Sequence, residues 1–171
     1  MRKTFCLVLL LFFVLPPGAE AATLEDAFSP RQGATDLIVK TIGEARTSIC
    51  VAAYLFTSHP IAAALVKAHA RGVDVRVVLD GHQDYRRAID YMDRHGIATR
   101  FNDRYAIMHD KFMIVDRRTL ETGSFNFTRS AEDNNAENVL VVHDSPRIVA
   151  DYRRQWNKLW AEAARPSGSW F

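Results

Sequence analysis

Between His109 and Asn126 six residues of chemical use stand at fixed offsets: His109, Lys111, Asp116, Gly123, Ser124 and Asn126. The apolar run Phe112 to Val115, set between polar flanks, reads as a strand. Side chains in a strand alternate faces, so His109 and Lys111 share one face while Asp110 points away. The same parity sends Asp116 to the opposite face unless the strand ends or bulges first, so Asp116 is expected to brace the segment. Ser124 and Asn126 also stand two apart on an expected strand, and Gly123 removes a side chain where a phosphate could approach the backbone. Glu137, in Asn-Ala-Glu-Asn ahead of the apolar run Val139 to Val142, is the candidate orienter of His109. A carboxylate accepting from one ring nitrogen sets the tautomer and leaves the other nitrogen free to attack. Such a set could perform nucleophilic attack by an imidazole, with acid–base transfer near neutral pH.

Each piece alone is commonplace: His-x-Lys is usually a solvated strand edge, and Gly-Ser-Phe-Asn is more often a turn. Six identities at fixed offsets over eighteen residues are another matter. The pattern H-x-K-x4-D-x6-G-S-x-N resembles the signature of the phospholipase D superfamily. From about Ala27 to Trp160 the order of segments resembles its small, signal-bearing bacterial endonucleases, whose single motif is completed by dimerisation. The landmarks are Phe28-Ser29-Pro30, Ala53-Tyr54-Leu55-Phe56-Thr57, Arg71-Gly72-Val73-Asp74-Val75 and Glu121-Thr122-Gly123-Ser124-Phe125-Asn126-Phe127-Thr128. The connection from Asp80 to the helix near Arg86 is shorter than the family's, which would alter substrate access.

The resemblance implies a phospholipase D-like α/β/α sandwich. It implies a catalytic set of His109, Lys111, Asp116 and Glu137, with Lys111, Ser124 and Asn126 holding phosphate oxygens. It further implies a metal-independent phosphodiesterase, foremost an endonuclease cutting DNA and secondarily RNA, through a phosphohistidine in a homodimer and without a cofactor. Two alternatives stand beside it: a phospholipase D opening phosphatidyl diesters, and a nucleic-acid-binding module with an inactive site. The sequence has no spaced His/Cys or carboxylate cluster suited to zinc or paired magnesium. None of His59, His69, His82, His95 or His143 has motif neighbours, so they read as surface or structural groups.

The elements that must position the set alternate along the chain. Ala34 to Arg46 has helical apolar spacing, Ile49 to Phe56 reads as a strand, and Pro60 opens a helix to Arg71 that Gly72 closes. Val73 to Leu79 is a strand, Tyr85 to Arg94 a helix stopped by Gly96, and Ile97 to Phe101 a short strand. Ser145-Pro146 opens a last amphipathic helix to about Ala164, with Ile148, Val149, Tyr152, Trp156, Leu159 and Trp160 as its apolar stripe. The alternation predicts an α/β fold with a mostly parallel or mixed central sheet flanked by helices.

At 171 residues and 48% hydrophobic content the chain can bury one core. Met1-Arg2-Lys3, the apolar stretch Phe5 to Leu15 and the small residues to Ala22 read as a secretory signal peptide over 1–22, the other reading being an uncleaved anchor. The expectation is a catalytic domain over 23–164, a loose tail over 165–171, and a periplasmic or secreted protein without stable membrane association after cleavage. Cys6 would leave with the signal, so Cys50 has no partner and reads as a small core hydrophobe. Removing Arg2, Lys3 and Glu20 leaves 20 basic against 19 acidic residues, which excludes a polycation. The clusters Lys67 to Arg71, Arg86-Arg87, Arg117-Arg118 and Arg153-Arg154 read as solvated surface that a dimer could gather around one cleft.

Overall fold

A computed structural model describes residues 21–83 and 86–164, with the backbone alone for Arg86 and Arg87. The expected leader up to residue 20, the expected tail and the side chains of the Arg86-Arg87 cluster lie outside the described residues. The elements run β1 (Thr23–Ser29), α1 (Ala34–Glu44), β2 (Ser48–Ala53), α2 (His59–Ala70), β3 (Asp74–Asp80), α3 (Arg86–Arg94), β4 (Ala98–Asn102), β5 (Lys111–Val115), β6 (Thr119–Gly123), α4 (Arg129–Asp133), β7 (Glu137–His143) and α5 (Pro146–Glu162).

The strands form one seven-stranded sheet in the order β1-β7-β6-β5-β2-β3-β4. It is mixed rather than mostly parallel: β2, β3 and β4 run parallel through the crossover helices α2 and α3, while every other pairing is antiparallel. The reason is local. Only three residues separate β5 from β6, too few for a crossover, and Asp116 and Arg117 take φ of 51° and 58° in the turn, the sign a tight hairpin requires.

Helices α1 to α4 cover one face, packing Ile38, Ile42, Ile61, Leu65, Met92 and Ala131 against Val51, Val77, Met113 and Val141. On the other face α5 lies alone, with Val149, Trp156 and Leu159 against Ala52, Val78, Phe112 and Leu120. Each fully buried side chain of this size contributes about 2 kcal/mol. Trp156 also donates its Nε1–H to Val51 O at 2.9 Å, which settles its polar atom inside the core. Ile148, expected in the apolar stripe, is 41% exposed and leaves α5 outside the packed surface. Cys50 is half-buried against the α5-side core, and burial pushes its thiol pKa up.

Two expected boundaries move, one expected strand is absent and one strand is new. Strand β2 ends at Ala53, and Phe56 makes an isolated bridge to Phe127 instead. Strand β7 begins at Glu137, two residues before the apolar run. The expected strand over Ser124 to Asn126 is absent, because Ser124 N and Phe125 N both donate to the carbonyl of Asn138 and the ladder ends in a bulge. The edge strand β1 was not predicted: its apolar residues Leu24 and Phe28 are 63% and 48% exposed, while Ala27 and Ser29 turn inward, inverting the expected pattern.

One buried carboxyl lies mid-strand in the sheet. Glu121, in the middle of β6 between Met113 and Val141, is 1% exposed with Oε2 unpartnered, and burial pushes its pKa up to about 8.

Candidate active site

The C-terminal ends of the parallel strands β2, β3 and β4, the start of β5, the end of β6 and the start of β7 all meet at one edge of the sheet. The residues after those ends are freed from the ladder, which is where α/β sheets place their ligand-handling groups. His109 sits two residues before the start of β5, near the close of the irregular loop 103–110, and Lys111 is the first residue of β5.

Lys111 Nζ lies 3.2 Å from His109 Nδ1 and donates to His109 O at 2.7 Å. If the ammonium donates to Nδ1, the proton of a neutral imidazole resides on Nε2, the form able to protonate a leaving oxygen. Burial lowers the pKa of Lys111, against the nearby carboxylates Glu137 and Asp110, which raise it. The ring of Tyr54, just past β2, packs on the imidazole at 4.6 Å between centroids, and Lys111 Nζ stands 5.4 Å from the same ring. Gln83 Nε2 donates to the Tyr54 hydroxyl at 3.3 Å.

Glu137 is turned to other partners than the expected one. Its Oε2 accepts from Ser124 Oγ at 2.6 Å and its Oε1 from Asn135 Nδ2 at 3.0 Å, while Ser124 Oγ in turn accepts from Asn138 N at 3.1 Å. So within one chain the carboxylate holds Ser124 and the start of β7, and its charge still reaches Lys111. Asn126 is half-buried, and its Oδ1 is buried without a hydrogen-bond partner. Gly123 is required for a reason the spacing did not reveal: a Cβ there would meet Asn138 O at 2.1 Å, so the close approach belongs to the β7 backbone rather than to a phosphate.

Asp116 lies at the other end of β5, roughly 17 Å from Lys111 at the rise of a strand. Its Oδ1 accepts from Thr47 N at 2.7 Å, Thr47 Oγ1 at 2.8 Å and Ser48 N at 3.0 Å, and its Oδ2 from Arg46 N at 2.9 Å. Burial raises its pKa, but the hydrogen bonds from Ser48, Thr47 and Arg46 outweigh that and the net shift is downward. The structure thus puts Asp116 apart from the other five candidates, as a clasp between β5 and the entry to β2. Among the described residues no group of three His, Cys, Asp or Glu is arranged to hold a metal ion.

Residues 38–160 match the family described as cardiolipin synthase, PLD-like domain. The chain belongs to the phospholipase D superfamily. Among solved structures, this phospholipase D-like chain is similar to the phospholipase D family member Nuc from Salmonella typhimurium, with 36% identity and a TM-score of 0.82 over 86% of this chain and 100% of Nuc. Among curated proteins it is 37% identical over 121 residues to a mitochondrial cardiolipin hydrolase of Chlamydomonas reinhardtii, covering 70% of this chain and 54% of that one. It is also 37% identical over 131 residues to a phospholipase D of Rickettsia bellii, covering 75% and 65%. The chain therefore spans between about half and two thirds of the length of these curated relatives. The phospholipase D-like fold expected from the motif is the one observed, a sheet flanked by helices on both faces.

Two members of the phospholipase D-like site were not singled out from sequence: Tyr54, which closes one side of His109, and Asp80, which grips the loop before it. A signal existed for each. An aromatic directly after an apolar strand, and an aspartate ending a valine-rich strand, both fall at the edge where ligands bind.

One arginine of each of three basic clusters is engaged within the fold. Arg71 donates to the carbonyls of Ile42, Gly43 and Ala45 at the end of α1, Arg118 pairs with Asp144, and Arg154 pairs with Asp151. The other histidines are likewise engaged, His69 with Val73 O, His95 with Tyr91 O and His143 with Glu25.

Proposed function

We propose that this protein is a metal-independent phosphodiesterase that hydrolyses nucleic acid, DNA foremost, in an active site shared by two copies of the chain. The observation that carries the reading is the single His109–Lys111 pair at an open sheet edge, with one nucleophile and no second histidine of the same kind beside it among the described residues. Displacement at phosphorus with retention of an enzyme intermediate needs a nucleophile on one side and an acid in line on the other. A two-fold axis at this edge would supply both, since an isologous interface brings the same residue from each copy to the axis.

In the first step one His109, in the tautomer that carries its proton on Nδ1, attacks phosphorus through the bare Nε2, the bond to the leaving oxygen breaks, and the protonated His109 of the second copy gives that oxygen its Nε2 proton. In the second step the same neutralised imidazole takes a proton from water, whose oxygen attacks phosphorus as the P–N bond breaks. Lys111, Ser124 and Asn126 hold the non-bridging oxygens as charge builds on them. The half-buried ammonium of Lys111, held beside His109 at the sheet edge, supports this assignment. Glu137 steers the site through Ser124 within its own chain, and its charge favours the ammonium of Lys111.

A second reading is hydrolysis of phosphatidyl diesters, favoured by the names of the curated relatives, a cardiolipin hydrolase and a phospholipase D. The surface argues for nucleic acid. Among the described residues the exposed large apolar side chains are Leu24, Phe28, Ile107 and Ile148, of which Ile107 lies on the loop leading to His109 and Phe28 pairs opposite Asn138, few side chains for a bilayer platform. No described helix is long and apolar enough to cross a membrane.

The test is plasmid cleavage in excess EDTA beside cleavage of phosphatidyl liposomes, with the solution mass measured on the same sample. Plasmid cutting by a dimer, lost by about 10³-fold or more in His109→Asn, is the expected result. Full activity in a monomer would end the shared-site scheme, and liposome cleavage without plasmid cleavage would move the substrate to lipid.

A further inference from the structure

We propose that Asp80 is a positioning residue for His109, acting through the backbone of the loop that carries it; this rests on His109 being the reacting group of the site described above. Asp80 is the last residue of β3 and is completely buried. Its Oδ2 accepts from Met108 N at 2.7 Å and its Oδ1 from His82 N at 2.9 Å, with His82 Nδ1 a further 3.6 Å contact. Burying a carboxylate is costly unless donors converge on it, and two N–H groups on separate oxygens can be served only by a group that accepts at both ends.

The consequence lies in what those two N–H groups belong to. The loop 103–110 has no ladder of its own, and its other hydrogen bonds among the described residues include Arg104 N to Asn102 Oδ1, Tyr105 Oη to Glu162, Gln155 to Asp110 and Lys111 Nζ to His109 O. The bond to Asp80 grips the amide of Met108, the residue immediately before His109, and the Met108 side chain is itself buried in the α5-side core. Through His82 N the same carboxylate holds the turn after β3, from which Gln83 reaches the Tyr54 hydroxyl, and the Tyr54 ring rests on the imidazole. One buried side chain thereby sets both the backbone behind His109 and the ring beside it. An imidazole that must attack in line needs its aim held from outside, because a misplacement of about 1 Å can cost on the order of 100-fold in rate.

The test uses the whole protein and three readouts. Asp80→Asn keeps the size of the side chain but turns an N–H toward one of the two amide donors. It is expected to lower kcat by about 10- to 100-fold, to leave KM within about twofold, and to shift or split the His109 ring resonances in NMR spectra. Leu65→Ala, a core truncation in α2 away from both loops, is the control that lowers Tm while keeping kcat. A kcat equal to the parent's in folded Asp80→Asn, or unmoved ring resonances, would overturn the proposal. Should Asp80→Asn not fold, hydrogen exchange of the parent decides: a Met108 amide as protected as those of β5 supports the clamp, and one exchanging as fast as the amides of Ala106 and Ile107 refutes it. If the parent cuts no phosphodiester at all, the proposed activity fails, while the resonances and the amide exchange still judge Asp80.

Discussion

Strand β5 joins two edges of the sheet that handle polar groups in opposite ways. At its C-terminal end Asp116 accepts four hydrogen bonds, Arg118 makes a two-point pair with Asp144, and His143 bridges Thr119 and Glu25, which in turn meets Lys40. At its N-terminal end Lys111 is buried with only a carbonyl and an imidazole beside its ammonium, Asn126 Oδ1 lacks a partner, and no described group hydrogen-bonds His109 Nε2. A cavity of about 220 Å³ lies at the C-terminal edge, lined by Thr41, Arg46, Asp116, Arg118, Thr119 and Asp144, yet Asp116, Arg118 and Asp144 there already bind the backbone or each other. The cavity is therefore the poorer guide to chemistry. Folding alone favours satisfied polar groups, so the more open N-terminal edge fits the site proposed above better than the C-terminal one does.

The comparison breaks most visibly at Lys111. Lys111→Met is expected to lower kcat/KM by about 10²- to 10³-fold while Tm holds or rises, because burial disfavours the ammonium it removes. In the parent the phosphate-binding form is the protonated one, and its pKa is lowered. Activity should therefore fall as pH rises through a value below the ordinary 10.5, and a rate profile flat through that range would remove Lys111 from the site.

Asp116→Ala should do the reverse, with a loss of about 2 kcal/mol in chemical denaturation and a kcat that is kept at temperatures where the variant is folded. The folded-state pKa of Asp116 is lowered, so its contribution is present above the ordinary value near 3.8 and lost as pH falls through the folded value. The variant's stability should consequently vary less with pH in that acid range than the parent's. A kcat lost in step with His109→Asn would show that the two edges are not separable.

Glu121→Gln is the finest probe. The native state holds the Glu121 proton up to about pH 8, whereas the unfolded chain releases it near 4.5, so the parent loses stability as pH rises between those values. The variant removes that slope. Its gain at pH 8 should be on the order of 1 kcal/mol, since an amide in the same place still leaves a polar atom unpaired. Equal pH slopes in the two proteins would place the buried charge elsewhere.

Four of the five described helices, all but the short α4, and most strands were legible because their signals are local. Gly72 and Gly96 stop α2 and α3 with φ of 93° and 80°, and the apolar stripe of α5 put Val149, Trp156 and Leu159 in the core. The pairing of Lys111 with His109 was legible too, the two standing 3.2 Å apart, although His109 lies in the loop before β5 and not on the strand. Three things were not. Strand β1 hides because its exposed positions carry Leu24 and Phe28, and its place beside β7 depends on a partner more than a hundred residues away. The bulge at Ser124 arises from one carbonyl of Asn138 meeting two amides, which no spacing in the motif encodes. Asp80 and Tyr54 join His109 only because parallel crossovers return β2 and β3 with their C-terminal ends on one edge.

The sequence by itself determined the family, the alternation of elements and the identity of the groups that could attack and bind phosphate, because these depend on residue types at short separations. The tertiary structure alone decided which of those groups stay unsatisfied. Glu137 turns to Ser124, Asp116 to the entry of β2, and His109 is left with an open nitrogen, since the competition for each hydrogen bond is settled by neighbours brought together across the sheet.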